Sequence, residues 1–273
     1  VAHLSHRDGQ GRWQGAGTLA WPVVAGHGDA PQPLRLCYPN VAMRNRAVHF
    51  FGVGDIVEPV PQWRQAKFAI TQREWDYVFR RLFYASTPDV AAEPFGGWME
   101  VASREATAGH LRNGDLHVDG GGVVHLVWCE TSVDERLRDR FFPGQRIVHS
   151  LEYLALREGS PLARRTLASA GEDEDVLRPQ LGRIHVLEDG QPVVLASFSR
   201  NLPDSALPAV AYRVAPLDGQ APSWVDVPFA QPMPGTFLTS TGRGGSPPGN
   251  VIDVVGIVPG AQPQVGYARV RLS

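Results

Sequence analysis

The chain has 273 residues, 43% of them hydrophobic and 20% charged, with a net charge of −2 at neutral pH. That balance excludes a disordered polypeptide, offers no general basic surface to a nucleic-acid backbone, and allows either one large domain or two ordinary ones. No run of about 18 apolar residues exists to cross a bilayer as a helix.

Twenty-nine glycines and 23 prolines lie scattered between short β-rich runs, as turn punctuation does, so the chain reads as all-β. It starts at Val1, already inside a strand-like run and with no signal peptide, and so reads as a fragment or a processed product. Residues 1–5 form a strand that the turn Asp8-Gly9-Gln10-Gly11-Arg12-Trp13 joins to a second one. Residues 39–51 predict a hairpin with Arg46 in its turn and His49 in its second strand. A strand around Tyr84 and another led by Trp98 follow. The same order recurs twice. The hairpin 115–128, turning at Gly122, is followed by the Tyr153 strand and one led by Leu162; the hairpin 183–196, turning at Gly190, is followed by the Tyr212 strand and one led by Trp224. Aligned in this way, His117 falls on His185 and His49 on His125, a recurrence that argues for packing or hydrogen bonding. A last unit holds Tyr267 beyond the loop 242–249.

Tyrosine strands therefore repeat at intervals of roughly 55 to 70 residues, each in a four-stranded meander, which is the pattern of a β-propeller. A β-sandwich with coincidental hairpins is the competing reading. The propeller reading gives one domain over 1–273, with a partial blade at 1–20 and blades at about 34–104, 111–168, 181–229 and 234–273. That makes about four to five blades, consistent with a piece of a propeller of roughly six to eight. In this frame Asp8-Gly9, Glu158-Gly159 and Asp218-Gly219 are turns between third and fourth strands, with a Trp covering the gap beside the next sheet.

The stretch 8–13 resembles a degenerate Asp-box, the Ser/Thr-x-Asp-x-Gly-x-x-Trp turn of sialidase-like BNR-repeat propellers, with His6 in the Ser/Thr place and glycines at 9 and 11 instead of 10. The hairpin Asp119-Gly-Gly-Gly-Val-Val-His-Leu-Val-Trp128 and the strand Val148-His-Ser-Leu-Glu-Tyr153 resemble BNR-repeat proteins of bacterial polysaccharide-degrading systems, which include ulvan-type lyases. The resemblance implies a carbohydrate-active propeller, a lyase or a glycoside hydrolase, working on an anionic polysaccharide in the periplasm or outside the cell. The alternative is a non-catalytic glycan-binding or protein-interaction propeller. Polysaccharide or oligosaccharide is the expected partner, with no nucleic acid, no membrane span and a monomeric state.

Chemistry is expected on the face carrying the long polar loops 54–75, 104–114 and 131–146, since long ordered loops are where sites are built. For uronate β-elimination a site needs a cation for the carboxylate, a base for the C5 proton and an acid for the leaving oxygen. The catalytic candidates are His110, His149, Tyr153 and Asp115, and the substrate-binding candidates Arg112, Arg146, Arg73 and Arg104. Tyr153 also belongs to the recurrent tyrosine series, which argues for a structural role. The arginine motif of sialidases is not seen. No cofactor is expected; His110 and His149 leave a divalent metal open without the tight spacing of a ligand set. Cys37 and Cys129 are too few for a disulfide framework and read as buried thiols. Lys67 is the sole lysine, and an arginine-dominated positive charge suits carboxylate or sulfate, or mirrors genomic base composition. The stretch 239–248, with Arg243 among glycines, reads as an anion nest or a rigid loop.

Overall fold

A computed structural model describes residues 1–25, 30–202, 205, 207–219, 222–231, 233, 237–239, 247–260 and 262–272; Gln220, Ala221 and Arg243 lie outside them. The chain is mostly antiparallel β-sheet. β1 (Ala2–Arg7) pairs with β2 (Trp13–Leu19), and β3 (Val23–Val24) with β4 (Gln32–Pro33). There follow β5 (Leu36–Arg44), β6 (Ala47–Gly54), β7 (Ile56–Val57), helix α1 (Pro61–Thr71), β8 (Tyr77–Val78), β9 (Arg81–Thr87) and β10 (Met99–Ser103). After them come β11 (Ala108–Val118), β12 (Val124–Val133), helix α2 (Glu135–Phe141), β13 (Val148–Arg157) and β14 (Ser160–Gly171). The last third contains β15 (Arg178–Val186), β16 (Pro192–Arg200), β17 (Ala209–Pro216), β18 (Val225–Val227), β19 (Leu238–Thr239), β20 (Val251–Val258) and β21 (Gln264–Arg271). Among the described residues three sheets have four strands, in the orders β10-β9-β6-β5, β11-β12-β13-β14 and β15-β16-β17-β18, and β19-β20-β21 forms a three-stranded one.

By its contacts the chain falls into two compact units, Val1–Asn113 with Ser132–Gln145, and Gly114–Thr131 with Arg146–Ser273. In the first, Leu19 of β2 packs with Leu36, Phe50 and Phe83 of the β5–β10 sheet, while Ala66 and Leu137 join the two helices around Trp63 and Phe142. In the second, Val127, Leu151 and Tyr153 face Ile184, Val194 and Phe198 of the next sheet, and Leu195 and Tyr212 face Ile252 and Val254 of the one after. Each fully buried Leu or Phe in these layers contributes roughly 1.5–3 kcal/mol. The inner strands of neighbouring sheets come very close there. A Cβ on Gly114 would lie 2.6 Å from the carbonyl oxygen of Gly182, so only glycine fits.

The two helices were not anticipated from the sequence. α1 places Pro61 at its start, where no N–H is needed, and ends at Gln72 in a left-handed conformation, φ 56°. α2 is capped by Asp134, whose side chain accepts from the Arg136 N–H. The stretch 104–114, read as a loop, is largely the first half of β11: Leu111 and Asn113 alternate inward against the exposed His110 and Arg112.

The turn at 8–12 shares its backbone hydrogen bonds with two other hairpin turns. Asp8 N–H donates to Arg12 O and Gly11 N–H to Asp8 O, and the same two bonds recur at 119–123 and 187–191, the hairpin turns of β11–β12 and β15–β16. Gly11, Gly122 and Gly190 each take positive φ at the fourth position. Asp8 Oδ1 accepts from the N–H groups of Gln10 and Arg12, as Asp119 Oδ1 does from Gly121 and Val123. Glu158 and Gly159 make instead a two-residue turn with both φ values positive. The turn at 8–12 thus has the hydrogen bonds of the turns at 119–123 and 187–191, while the β5–β6 turn at Asn45 and Arg46 shares the two-residue form of 158–159.

Two side-chain contacts repeat from sheet to sheet. His49 Nδ1 lies 2.7 Å from the Tyr84 hydroxyl, and His125 Nδ1 lies 2.8 Å from that of Tyr153. Trp98 Nε1 donates to Ala20 O and Trp224 Nε1 to Leu167 O, each tying its strand to the preceding sheet, not the following one. Cys129 is buried and Cys37 half-buried, and neither is in a disulfide. No helix among the described residues is long and apolar enough to cross a membrane.

Candidate functional site

The eight residues singled out from the sequence are divided between the two units. In the second unit they occupy separate settings. Tyr153 is buried against His125, with the Arg165 guanidinium 4.8 Å from its ring centre. Asp115 is buried too. Its carboxylate accepts from the backbone N–H groups of Leu116 and Ile184, which stitches β11 to β15, and the Arg183 Nε lies 3.6 Å away. His149 Nδ1 lies 3.3 Å from Thr131 Oγ1, four residues along β13 from Tyr153, about 13 Å at strand rise. Arg146, at the surface, pairs with Asp173 and Glu174.

The first unit assembles a more concentrated group. A β-bulge between Cys37 and Asn40 holds Tyr38 at φ 48°, a conformation that a bulky L-residue occupies only when its surroundings impose it. The constraint comes from the buried Asn113, whose Nδ2 donates to the Tyr38 carbonyl and, at 2.8 Å, to Asn40 Oδ1. The Tyr38 ring is 71% exposed and lies 5.9 Å from the Phe79 ring. Phe79 in turn meets His110 edge-on at 5.6 Å, so one phenylalanine touches both. Leu111 N–H donates to Phe79 O and fixes β11 against this segment. Arg112 stands two residues from His110, on the same side of the strand.

His110 is open to solvent, yet the surrounding protein mass and the cations near it push its imidazole down to about 4. Desolvation leads, Arg112 comes next, Asp134 opposes, and Arg136 and Arg80 add to the depression. Its accessible edge takes part in exchange with water, which tempers the desolvation share, but the flanking arginines act in the same direction.

Asp134, Arg136 and Arg80, which act on His110, belong to a chain of ion pairs. Glu58 accepts both prongs of Arg80, at 2.9 and 2.5 Å, and also pairs with Lys67 at 2.8 Å. Lys67 reaches Asp76 at 2.7 Å, and Arg136 bridges Asp76 and Asp134 at 3.2 and 2.6 Å. Burial works to raise the carboxyls of Glu58 and Asp134, and their cationic partners outweigh it, so both are held below the ordinary range. Three carboxylates thus balance three cations within the network. Arg112 beside His110 is a further positive charge. Arg104 donates its backbone N–H to Arg80 O, and Arg73 follows α1 on an exposed stretch.

No repeat or motif in the sequence marks Tyr38, Asn40, Phe79 and Asn113. Nor does one mark Glu130 and Glu152, on neighbouring strands of the second unit. Burial raises the Glu152 carboxyl, hydrogen bonds from Ser150 and Thr166 pull against it, and the charge of Glu130 adds to the rise. Glu130 itself accepts from Trp128 Nε1 at 2.6 Å. Among the described residues no group of three or more His, Cys, Asp or Glu side chains could hold a metal ion.

No protein-family model and no curated protein matches the chain. Among solved structures, it is similar to an endo-arabinase from Bacteroides thetaiotaomicron, at 11% identity and a TM-score of 0.46 over 96% of this chain and 82% of that one. A Bombyx mori GH32 beta-fructofuranosidase gives 12% identity and 0.42 over 84% and 44%. An alpha-l-arabinofuranosidase from Fusarium graminearum gives 14% and 0.44 over 97% and 66%. These neighbours are glycoside hydrolases. At such scores the likeness assigns this chain neither a family nor a residue role.

Proposed function

We propose that the chain is a carbohydrate-active β-propeller that cleaves an anionic polysaccharide by β-elimination at the Tyr38–His110–Arg112 group. The propeller part rests on the repeated sheets, whose successive faces pack together in the second unit, and on the recurring His–Tyr and Trp contacts. Sheets β5–β10, β11–β14, β15–β18 and β19–β21 are read as blades, with β1–β2 belonging to a partial one.

The geometry carries the chemical part: Phe79 meets both the exposed Tyr38 ring and the exposed His110 ring, and Arg112 stands on the same side of β11 as His110. In the reaction, Arg112 binds the uronate carboxylate and makes the adjacent C5–H more acidic. A ring nitrogen of His110 takes that proton, its electron pair becomes the C4–C5 double bond, and the C4–O bond breaks. The Tyr38 hydroxyl gives its proton to the leaving oxygen. His110 then returns its proton to solvent, and the Tyr38 phenolate takes one up. No metal or cofactor is assigned a part. A periplasmic or extracellular location and a polysaccharide or oligosaccharide partner go with this reading.

Glycoside hydrolysis is the second reading, and Glu152 is the observation that favours it, because a carboxyl held high beside another carboxylate suits an acid–base pair. Product mass separates the two. Incubation with polygalacturonate and sulfated uronic-acid polysaccharides is expected to release oligosaccharides one water lighter than hydrolytic products. Products of full hydrolytic mass would favour the Glu152 reading, and binding without products a non-catalytic glycan binder.

A further inference from the structure

Beside α1 the first unit opens a cleft of 460 Å³, lined among others by Glu58, Arg64, Phe68, Arg73, Glu74 and Trp75. None of these takes part in the elimination. The volume lies within the roughly 300–1,000 Å³ typical of small-molecule sites. The cleft wall is unusual in exposing a large aromatic on a rigid base. Trp75 is 69% exposed and Phe68 39%. Glu74, just before Trp75, has its carbonyl held by Arg64 Nη2. Asp76, just after, accepts the Glu58 N–H on its carbonyl and binds Lys67 and Arg136 through its carboxylate. Both neighbours of Trp75 are thus anchored while its ring faces water.

The charge of the cleft points to its occupant. Glu58 lines it, but its carboxylate is consumed by Arg80 and Lys67 inside the protein. What reaches the opening is Arg64 and Arg73 against Glu74, one positive charge in excess. An indole face takes the C–H face of a sugar ring, and guanidinium groups take carboxylate or sulfate in two-pronged fashion. We infer that this cleft is an accessory subsite for an anionic sugar, with Trp75 stacking on the ring and Arg64 and Arg73 holding its acid group. The inference rests on the carbohydrate reading above and deepens it. The fixed backbone on both sides of Trp75 pre-organises the platform, so little ordering cost is left to binding.

The test is titration of the whole chain with a hexamer of galacturonic acid, followed by tryptophan fluorescence and calorimetry, with maltohexaose as the neutral control. The subsite predicts quenching by the hexamer and none by maltohexaose. It predicts binding weakened about tenfold or more in Trp75→Ala, and largely restored in Trp75→Phe. His110→Gln should bind the hexamer as the native chain does. Hexamer binding unchanged in both Trp75→Ala and Arg73→Gln would overturn the subsite even if polyuronate is cleaved. Conversely, binding lost in Trp75→Ala and kept in His110→Gln, with no cleavage by the native chain, would leave the subsite standing and remove the lyase reading. No binding of hexamer or of dextran sulfate by the native chain would overturn the subsite outright. Because Trp75 is exposed, thermal unfolding of its variants is expected to match the native chain, which separates lost binding from lost fold.

Discussion

Nδ1 of His125 lies 2.8 Å from the hydroxyl of Tyr153, diagonally across β12 and β13, and the His49–Tyr84 pair repeats this geometry at 2.7 Å one sheet earlier. A contact built twice at equivalent places belongs to the scaffold. Tyr153→Phe is therefore expected to lower unfolding free energy by about 1–2 kcal/mol, measured by urea denaturation, because it leaves a buried imidazole short of a partner. Its turnover on polyuronate should match that of the native chain.

The same histidines set a pH dependence. Burial lowers the imidazoles of His49 and His125, and His110 is held at about 4 by burial and arginine, against an ordinary value of 6.5. Between 6.5 and those lowered values the unfolded chain binds more protons than the folded one, so stability falls as pH drops through that window. Melting temperature should decline steadily from pH 7 to pH 4.5, and replacing His49 and His125 by Asn should flatten the slope.

Tyr38 is predicted to serve chemistry instead of stability. Its ring is mostly in water and its backbone is held by Asn113, so Tyr38→Phe should change unfolding free energy by less than about 0.5 kcal/mol. Turnover should fall about 100-fold or more, with KM little altered, because only the proton for the leaving oxygen is lost.

Lys67, the sole lysine, has a fully buried side chain between Glu58 and Asp76. Lys67→Met leaves three carboxylates sharing two cations in a water-poor site, and is expected to cost about 3–5 kcal/mol in chemical denaturation. A smaller loss would mean that Arg80 and Arg136 satisfy the network alone.

The strands were legible because their signals are local: alternation, a glycine or acidic turn, and a tyrosine or histidine at a fixed place. The setting of Tyr38 was not, since it depends on a left-handed backbone and on Asn113, far away in sequence. α1 hid behind a polar stretch whose lysine is buried only because Glu58, before the helix, and Asp76, after it, close around it. The opening turn shows how little the letters of a turn fix. Its Asp-Gly letters match those at 218–219, while its hydrogen bonds match those at 119–123, and letters do not show bonds. His110 and Arg112 stood out as polar residues of a long charged stretch, and the structure sets both on the exposed side of β11. Tyr153, His149 and Asp115 carried the same polarity, and the structure gives Tyr153 and Asp115 hydrogen bonds within and between sheets.

The central claim is that neutral His110 abstracts the C5 proton, and the most direct measurement follows the ultraviolet absorbance of unsaturated uronate released from polygalacturonate by the native chain and by His110→Gln. A steady rise is expected with the native chain and a rate at least about 100-fold lower in the variant, with hexamer binding retained. An undiminished rate in His110→Gln, or new reducing ends without any unsaturated product, would contradict it.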